Sequence, residues 1–175
     1  MPGCPSGGLL SGTDKPDKLD GQDGEDKVRG LGDEDELMGG MGSDVIYGGP
    51  GDDSLRGGTV ENFVKDVGDD VSKDVLRGGP GQDWIDGQKG DDVIYGGDGN
   101  DRYIFGGAGE DVIYGGDGND TIISADGNRD KIYCGEGWDR YEADKVDHVS
   151  SSCEKEWAGP PPFTPDPGDN VVRPR

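Results

Sequence analysis

Aspartate side chains recur at nine-residue intervals along most of this chain, and their type and spacing could support metal chemistry. A carboxylate supplies hard oxygen ligands, and Ca²⁺ takes six to eight oxygens at about 2.3–2.6 Å, backbone carbonyls included. The predicted ligands share the sixth place of a repeated nonapeptide. They are Asp26, Asp35, Asp44, Asp53, Asp74, Asp83, Asp92, Asp101, Asp111, Asp120, Asp130 and Asp139.

The repeat around each aspartate reads Gly-Gly-x-Gly-x-Asp-x-U-x, where U is a large aliphatic residue. Clear copies begin at Gly21, Gly39, Gly48, Gly78, Gly87, Gly106 and Gly115, with weaker ones at Gly12 and Gly30. Glycine supplies the unhindered or positive-φ backbone that a tight six-residue curl requires. The last three residues predict a short strand, in which U points away from its two neighbours.

The elements that must position the aspartates are therefore short strands stacked in two layers. Two nonapeptides complete one coil, and coils stack at about 4.8 Å. The predicted fold class is all-β: a right-handed parallel β-roll, or solenoid, of about seven two-strand coils, with a short helical or loop insert. The U positions would form a thin interior column. They include Leu19, Val28, Leu37, Ile46, Leu55, Leu76, Ile85, Ile94, Ile113, Ile122 and Ile132.

Composition supports a bound cation. The chain has 175 residues, 36 glycines, only 29% hydrophobic residues and a net charge of −22. Such a chain should be disordered unless its carboxylates are neutralised, because like charges repel and little apolar surface can be buried. About ten divalent ions would offset that charge, and we expect roughly eight to twelve Ca²⁺.

Other ligands and partners are disfavoured. One histidine and three cysteines without paired spacing make a poor zinc site, and Mg²⁺ prefers to keep its waters. The acidic balance argues against nucleic acid. The sequence has no apolar run of about 18 residues, so we expect no membrane-spanning helix.

The repeat closely resembles the hemolysin-type calcium-binding repeats, the RTX family, over roughly residues 12–150. The resemblance implies a parallel β-roll with Ca²⁺ between successive loops, bound by the aspartates named above and by loop carbonyls. It also implies secretion, an extracellular location and folding triggered by calcium, as in secreted bacterial proteins of this type. The chain departs from the pattern at Asp33, at Cys134 and through one extra residue in each of 96–105 and 124–133.

The predicted organisation is a lead-in over 1–11, a β-roll over 12–150 with an insert at 59–73, a cap end over 151–158 and a proline-rich disordered tail over 159–175. Cys134 and Cys153 flank the atypical last turn, and a disulfide there could contribute about 3 kcal/mol. Cys4 leaves other pairings, a free thiol or an interchain link open.

One outer face should carry a row of tyrosines beside a row of valines. The tyrosines are Tyr47, Tyr95, Tyr114 and Tyr133. We predict either plain cross-strand stabilisation or a contact surface for a homodimer or a protein partner.

The predicted function is a secreted, calcium-loaded structural or interaction module and not an enzyme. The alternative is the calcium-binding portion of a larger secreted hydrolase or toxin. His148, the single histidine, lies near Glu142, Asp144 and Asp147 but has no nucleophile motif, so a role in the cap is favoured. A thin filled roll also offers no cleft for a catalytic carboxylate pair.

Overall fold

The chain folds into two parallel β-sheets stacked as the two sides of a solenoid. The computed structural model describes residues 7–58 and 71–153, together with the backbone of 155–156. Sheet A contains β1 (Leu9–Ser11), β3 (Lys27–Arg29), β5 (Val45–Tyr47), β7 (Val75–Pro80), β9 (Val93–Asp98), β11 (Val112–Asp117), β13 (Lys131–Glu136) and β15 (His148–Val149). Sheet B contains β2 (Lys18–Asp23), β4 (Glu36–Met41), β6 (Ser54–Arg56), β8 (Trp84–Asp86), β10 (Tyr103–Phe105), β12 (Thr121–Ser124), β14 (Arg140–Ala143) and β16 (Lys155–Glu156).

Successive strands alternate between the sheets, so each coil contributes one strand to each sheet and about seven coils are formed. Every ladder pairing is parallel. The described residues contain no helix, and none of their segments is a helix long and apolar enough to cross a membrane. The predicted all-β parallel solenoid is confirmed.

A single column of aliphatic side chains forms the core between the sheets. From Val28 to Ile132 these side chains are at most 1% exposed, and the column includes Ile104, which aligns with Ile85 and Ile122. Ile104 falls out of a strict nine-residue count because its repeat carries an extra residue. The structure absorbs that residue in the loop, so the hydrophobic register is kept.

The two ends of the roll differ in detail from the sequence prediction. Strand β1 already pairs with β3 inside the stretch assigned to the lead-in, so the first strand begins at Leu9. At the other end, Cys134 and Cys153 form a disulfide, which is one of the pairings that the sequence left open.

Three segments of the predicted organisation lie wholly or mostly outside the described residues. The insert lies mostly in residues 59–70, outside the described residues, although β5 and β7 on either side stay in register. Residues 1–6, which contain Cys4, and the proline-rich tail also lie outside them.

Candidate calcium centre

The sixth-position aspartates form two continuous ladders, one along each edge of the roll. In each ladder, Oδ1 of one aspartate accepts a hydrogen bond from the backbone N–H of the equivalent aspartate one coil earlier, at 2.7–3.1 Å. Ladder A, before the strands of sheet A, runs through Asp26, Asp44, Asp74, Asp92, Asp111, Asp130 and Asp147. Ladder B, before the strands of sheet B, runs through Asp17, Asp35, Asp53, Asp83, Asp101, Asp120 and Asp139.

All twelve predicted ligands lie in these ladders and are buried, with relative exposures of 0–3%. In ten of them the second carboxylate oxygen, Oδ2, lies beside the first glycine of its repeat, whereas Oδ2 of Asp130 accepts a hydrogen bond from the Ser124 hydroxyl. For eight of them, Oδ2 is inaccessible to solvent and receives no hydrogen bond from the described residues: Asp26, Asp35, Asp53, Asp83, Asp92, Asp101, Asp111 and Asp120. A buried acceptor without a donor is costly, so each of these atoms requires a positive partner.

Burial also raises the pKa values of several of these carboxyl groups. Loss of solvation raises the pKa of Asp83 and Asp92 to about 8, against the partial compensation of one backbone hydrogen bond each. The same cause raises the pKa of Asp111 and Asp120 to about 7 and that of Asp53 to about 6. The neighbouring carboxylates in the ladder add to the rise. A bound cation would reverse it, because it favours the charged form.

The remaining oxygens near each carboxylate come from the backbone. A Cβ placed on Gly87 would lie 2.6 Å from Oδ2 of Asp92 and also against the carbonyl oxygen of Gly106 in the next coil. Oδ2 and a loop carbonyl therefore converge beside a glycine that leaves room for them. This pairing recurs at Gly30, Gly39, Gly48, Gly57, Gly78 and Gly96.

The donor set fits a hard cation. No group of three or more His, Cys, Asp or Glu side chains converges on one point in the part of the chain that the structure describes. A metal there must take most of its ligands from carbonyls and single carboxylates. Ca²⁺ accepts that set, whereas zinc requires a compact group of side chains.

Sequence reasoning missed two groups of residues. Asp147 extends ladder A by accepting the N–H of Asp130, although its turn departs from the glycine pattern. Side chains at the fifth position of the repeat form a further ladder outside ladder B. In it, Asn100 Oδ1 accepts a hydrogen bond from the backbone N–H of Asn119, and Asn119 Oδ1 accepts one from the backbone N–H of Trp138. Short polar residues at the fifth position were the available signal.

Comparison with known families agrees with this geometry. The family model for the RTX calcium-binding nonapeptide repeat matches the chain in four copies, at residues 9–37, 29–64, 72–103 and 103–130. The chain belongs to the RTX calcium-binding repeat family. These copies cover more than half of the chain and every ladder aspartate except Asp139 and Asp147. The RTX repeats thus support calcium ions as the partners of this β-roll. No curated protein matches the chain.

Proposed function

We propose that this chain is a secreted, non-catalytic module whose folding is coupled to the binding of several Ca²⁺ ions by the two aspartate ladders. The ligands are the twelve predicted aspartates and the carbonyls of their loops. Each ladder contains seven aspartates and therefore six intervals between coils, so the two ladders together have twelve intervals, the upper end of the eight to twelve ions that we propose.

The observation that carries the proposal is the set of buried Oδ2 atoms without a donor. They recur in coil after coil, so the cost of burying them accumulates along the roll. Folding in the absence of a cation must either protonate these groups or bury their charge. Calcium removes that cost in the folded state alone, because the unfolded chain has no preformed site, and mass action then stabilises the fold.

Coupling of this kind suits a secreted protein. RTX repeats are typical of secreted proteins, and calcium is scarce in cytoplasm but abundant outside cells. The chain would stay open during export and close into the roll on meeting external calcium.

The groups around His148 take part in the backbone hydrogen bonding of the last turn. Both carboxylate oxygens of the adjacent Asp147 accept backbone N–H groups, from Asp130 and from Asp144. The His148 backbone N–H donates to the carbonyl of Asp130, which continues sheet A. These groups build the last turn of the roll, and the proposal assigns them no reaction. A homodimer or protein partner on the tyrosine face stays a prediction.

The experiment is a Ca²⁺ titration of chelator-treated protein, followed by far-UV circular dichroism and small-angle scattering, with Mg²⁺ as the control ion. We expect a cooperative change from an expanded chain to a compact β-structure with Ca²⁺ only. Native mass spectrometry at saturation should count eight to twelve bound ions. A compact β-fold in excess chelator would overturn the coupling, and an expanded chain at saturating Ca²⁺ would overturn the site itself.

A further inference from the structure

The outer face of sheet A has an unusual charge distribution for so acidic a chain. At the seventh and ninth positions of the repeats in β3 to β13 of this sheet, whose side chains face outward, no residue is acidic, and the exposed acids of β9, β11 and β13 lie only at the last residue of those strands. Four of the residues at these outward-facing positions are cations, namely Lys27, Arg29, Arg77 and Lys131, and the others are valines and tyrosines. We call this surface the basic strip. The outer face of sheet B, by contrast, mixes both signs, as in the Lys18–Glu36 ion pair.

The cations of the basic strip make no ion pair with any described residue. Three of them lie on aromatic rings instead. Arg77 stands 4.6 Å from the ring centroid of Tyr95 and 5.5 Å from that of Tyr47, and Lys27 and Arg29 stand 5.2 and 5.7 Å from Tyr47. These contacts orient the charges but do not neutralise them. The strip is therefore complementary to an anion.

The shape of the strip limits which anion fits. Asp98, Asp117 and Glu136 lie in register along one long border, and Asp91 and Glu110 precede the strands on the other. A broad anionic surface, such as a membrane, would meet both acidic borders and be repelled. A second copy placed face to face by a two-fold axis would set the Lys27 end against the partner's Lys131 end. A narrow linear anion avoids both conflicts.

The spacing of the tyrosines then selects the kind of polymer. Tyr95, Tyr114 and Tyr133 stack with centroid distances of 5.0 and 4.9 Å and interplanar angles of 6° and 9°. Their faces cover one another, so ring edges and hydroxyls face solvent at the spacing of the coils. An extended peptide repeats its side chains on one face every ~6.6 Å, so its side chains would not stay aligned with the more closely spaced tyrosines. One sugar residue of an extended polysaccharide advances by about the distance between coils.

We propose that the basic strip binds a linear acidic polysaccharide lying along the axis of the roll, with its carboxylates on Arg29 and Arg77 and its hydroxyl groups on the tyrosine stack. Arginine suits this role because its guanidinium can hold a carboxylate with two hydrogen bonds. This binding is a function beyond calcium-coupled folding and requires only that the roll be folded.

The test uses the full chain, calcium-loaded, at low ionic strength, titrated calorimetrically with a hyaluronate octasaccharide, an acidic glycan that calcium does not gel. We expect saturable binding that weakens with added salt. The double variant Arg29→Gln/Arg77→Gln should weaken it about tenfold or more. The matched control Lys18→Gln/Arg56→Gln removes two cations from sheet B and should change it by less than about twofold. Lys131→Gln, at the far end of the strip, should give a smaller loss. Circular dichroism checks that each variant folds.

Three results would overturn the proposal: no binding by the folded wild-type chain, equal losses in the two double variants, or tighter binding of polyglutamate than of the glycan. A dimer in sedimentation that Arg77→Gln abolishes would also overturn it and assign the strip to self-association. If the chain folds without calcium, the same glycan titration in chelator still shows whether the basic strip binds the polysaccharide. The polysaccharide proposal and the calcium proposal can therefore fail separately.

Discussion

The backbone N–H of Asp83 donates a 3.0 Å hydrogen bond to Oδ1 of Asp101 one coil further along, and Oδ2 of Asp101 stays buried without a donor. The two oxygens of one carboxylate thus have different roles. Oδ1 joins adjacent coils, and Oδ2 is left for a cation. Asparagine can replace the first role but not the second, because its amide keeps an acceptor oxygen and loses the charge.

Asp101→Asn should therefore separate calcium binding from structure. We expect the Ca²⁺ midpoint of folding to rise about three- to tenfold, since calcium affinity follows the charge of the ligand set. In chelator at pH 8 the same variant should fold as well as the wild type or better, because a neutral amide costs less to bury than a carboxylate.

Asp98→Asn is the matched control, in the same loop but exposed. It should shift the calcium midpoint by less than about twofold. Equal shifts for Asp98→Asn and Asp101→Asn in a circular dichroism titration would contradict the role of Asp101 as a ligand.

The calcium-free roll should become more stable as the pH falls from 8 to 6. Burial raises the pKa of Asp83 and Asp92 to about 8, above the ordinary value of 3.8, so the folded state binds protons that the unfolded state releases. That stabilisation is complete below pH 3.8 and is lost as the pH rises through about 8. Calcium requires the charged form, so its midpoint should shift the opposite way, to higher concentration at lower pH.

Far-UV circular dichroism of the chelator-treated chain at pH 8, 7 and 6 measures the first effect as a gain of β-structure on acidification, and calcium titrations at the same pH values measure the second. A calcium-free chain whose stability falls with acidification would contradict the raised pKa values. The range above pH 5 keeps the protein away from its isoelectric point near 4.1.

Gly97→Ala should destabilise the calcium-loaded roll by about 2–4 kcal/mol. Gly97 has φ +126°, and a Cβ there would overlap the carbonyl oxygen of Gly79, with the carbonyl carbon only 2.8 Å away. Gly32 offers a control, because its backbone is not left-handed and a Cβ would meet nothing closer than 3.8 Å. Gly32→Ala should lie within about 1 kcal/mol of the wild type in urea unfolding; a comparable loss at both glycines would argue against coil contact as the cause.

Leu31→Gly should stabilise the roll. Leu31 occupies the second position of its repeat, is 45% exposed and has φ +94°, a conformation that most other repeats give to glycine, although Gln22 and Gln88 share it. Removing the side chain relieves backbone strain of about 1 kcal/mol while losing little burial. Leu9→Gly is the control, since Leu9 is 60% exposed in a regular strand and should not gain stability. A higher melting temperature for Leu31→Gly alone is the expected result.

Loss of the Cys134–Cys153 disulfide should lower the free energy of unfolding by about 3 kcal/mol, because the bridge closes a loop of 19 residues. The double variant Cys134→Ala/Cys153→Ala tests this by urea unfolding at saturating Ca²⁺. Cys4→Ser keeps the bridge and serves as the control. Non-reducing peptide mapping that finds Cys4 joined to either cysteine would contradict the pairing.

The periodicity of the sequence was enough to predict much of the fold. A nine-residue period with Asp at the sixth and an aliphatic residue at the eighth place is a local signal. It places Val28 beside Ile46 and Asp83 beside Asp101 once the chain is known to coil. The tyrosine row was predictable for the same reason, since alternate repeats must share a sheet.

Only the tertiary structure decided which oxygen each aspartate keeps free, and how strongly burial acts on it. The Asp83–Asp101 hydrogen bond depends on the register between coils, which no single repeat contains. The high pKa of Asp83 comes from the coils stacked on both sides of it and is therefore collective. Asp147 joined ladder A although its turn lacks the glycines, because stacking on Asp130 positions it. The local period determines which of the other aspartates belong to the ladders, whereas their desolvation and hydrogen bonding arise only when the coils are assembled.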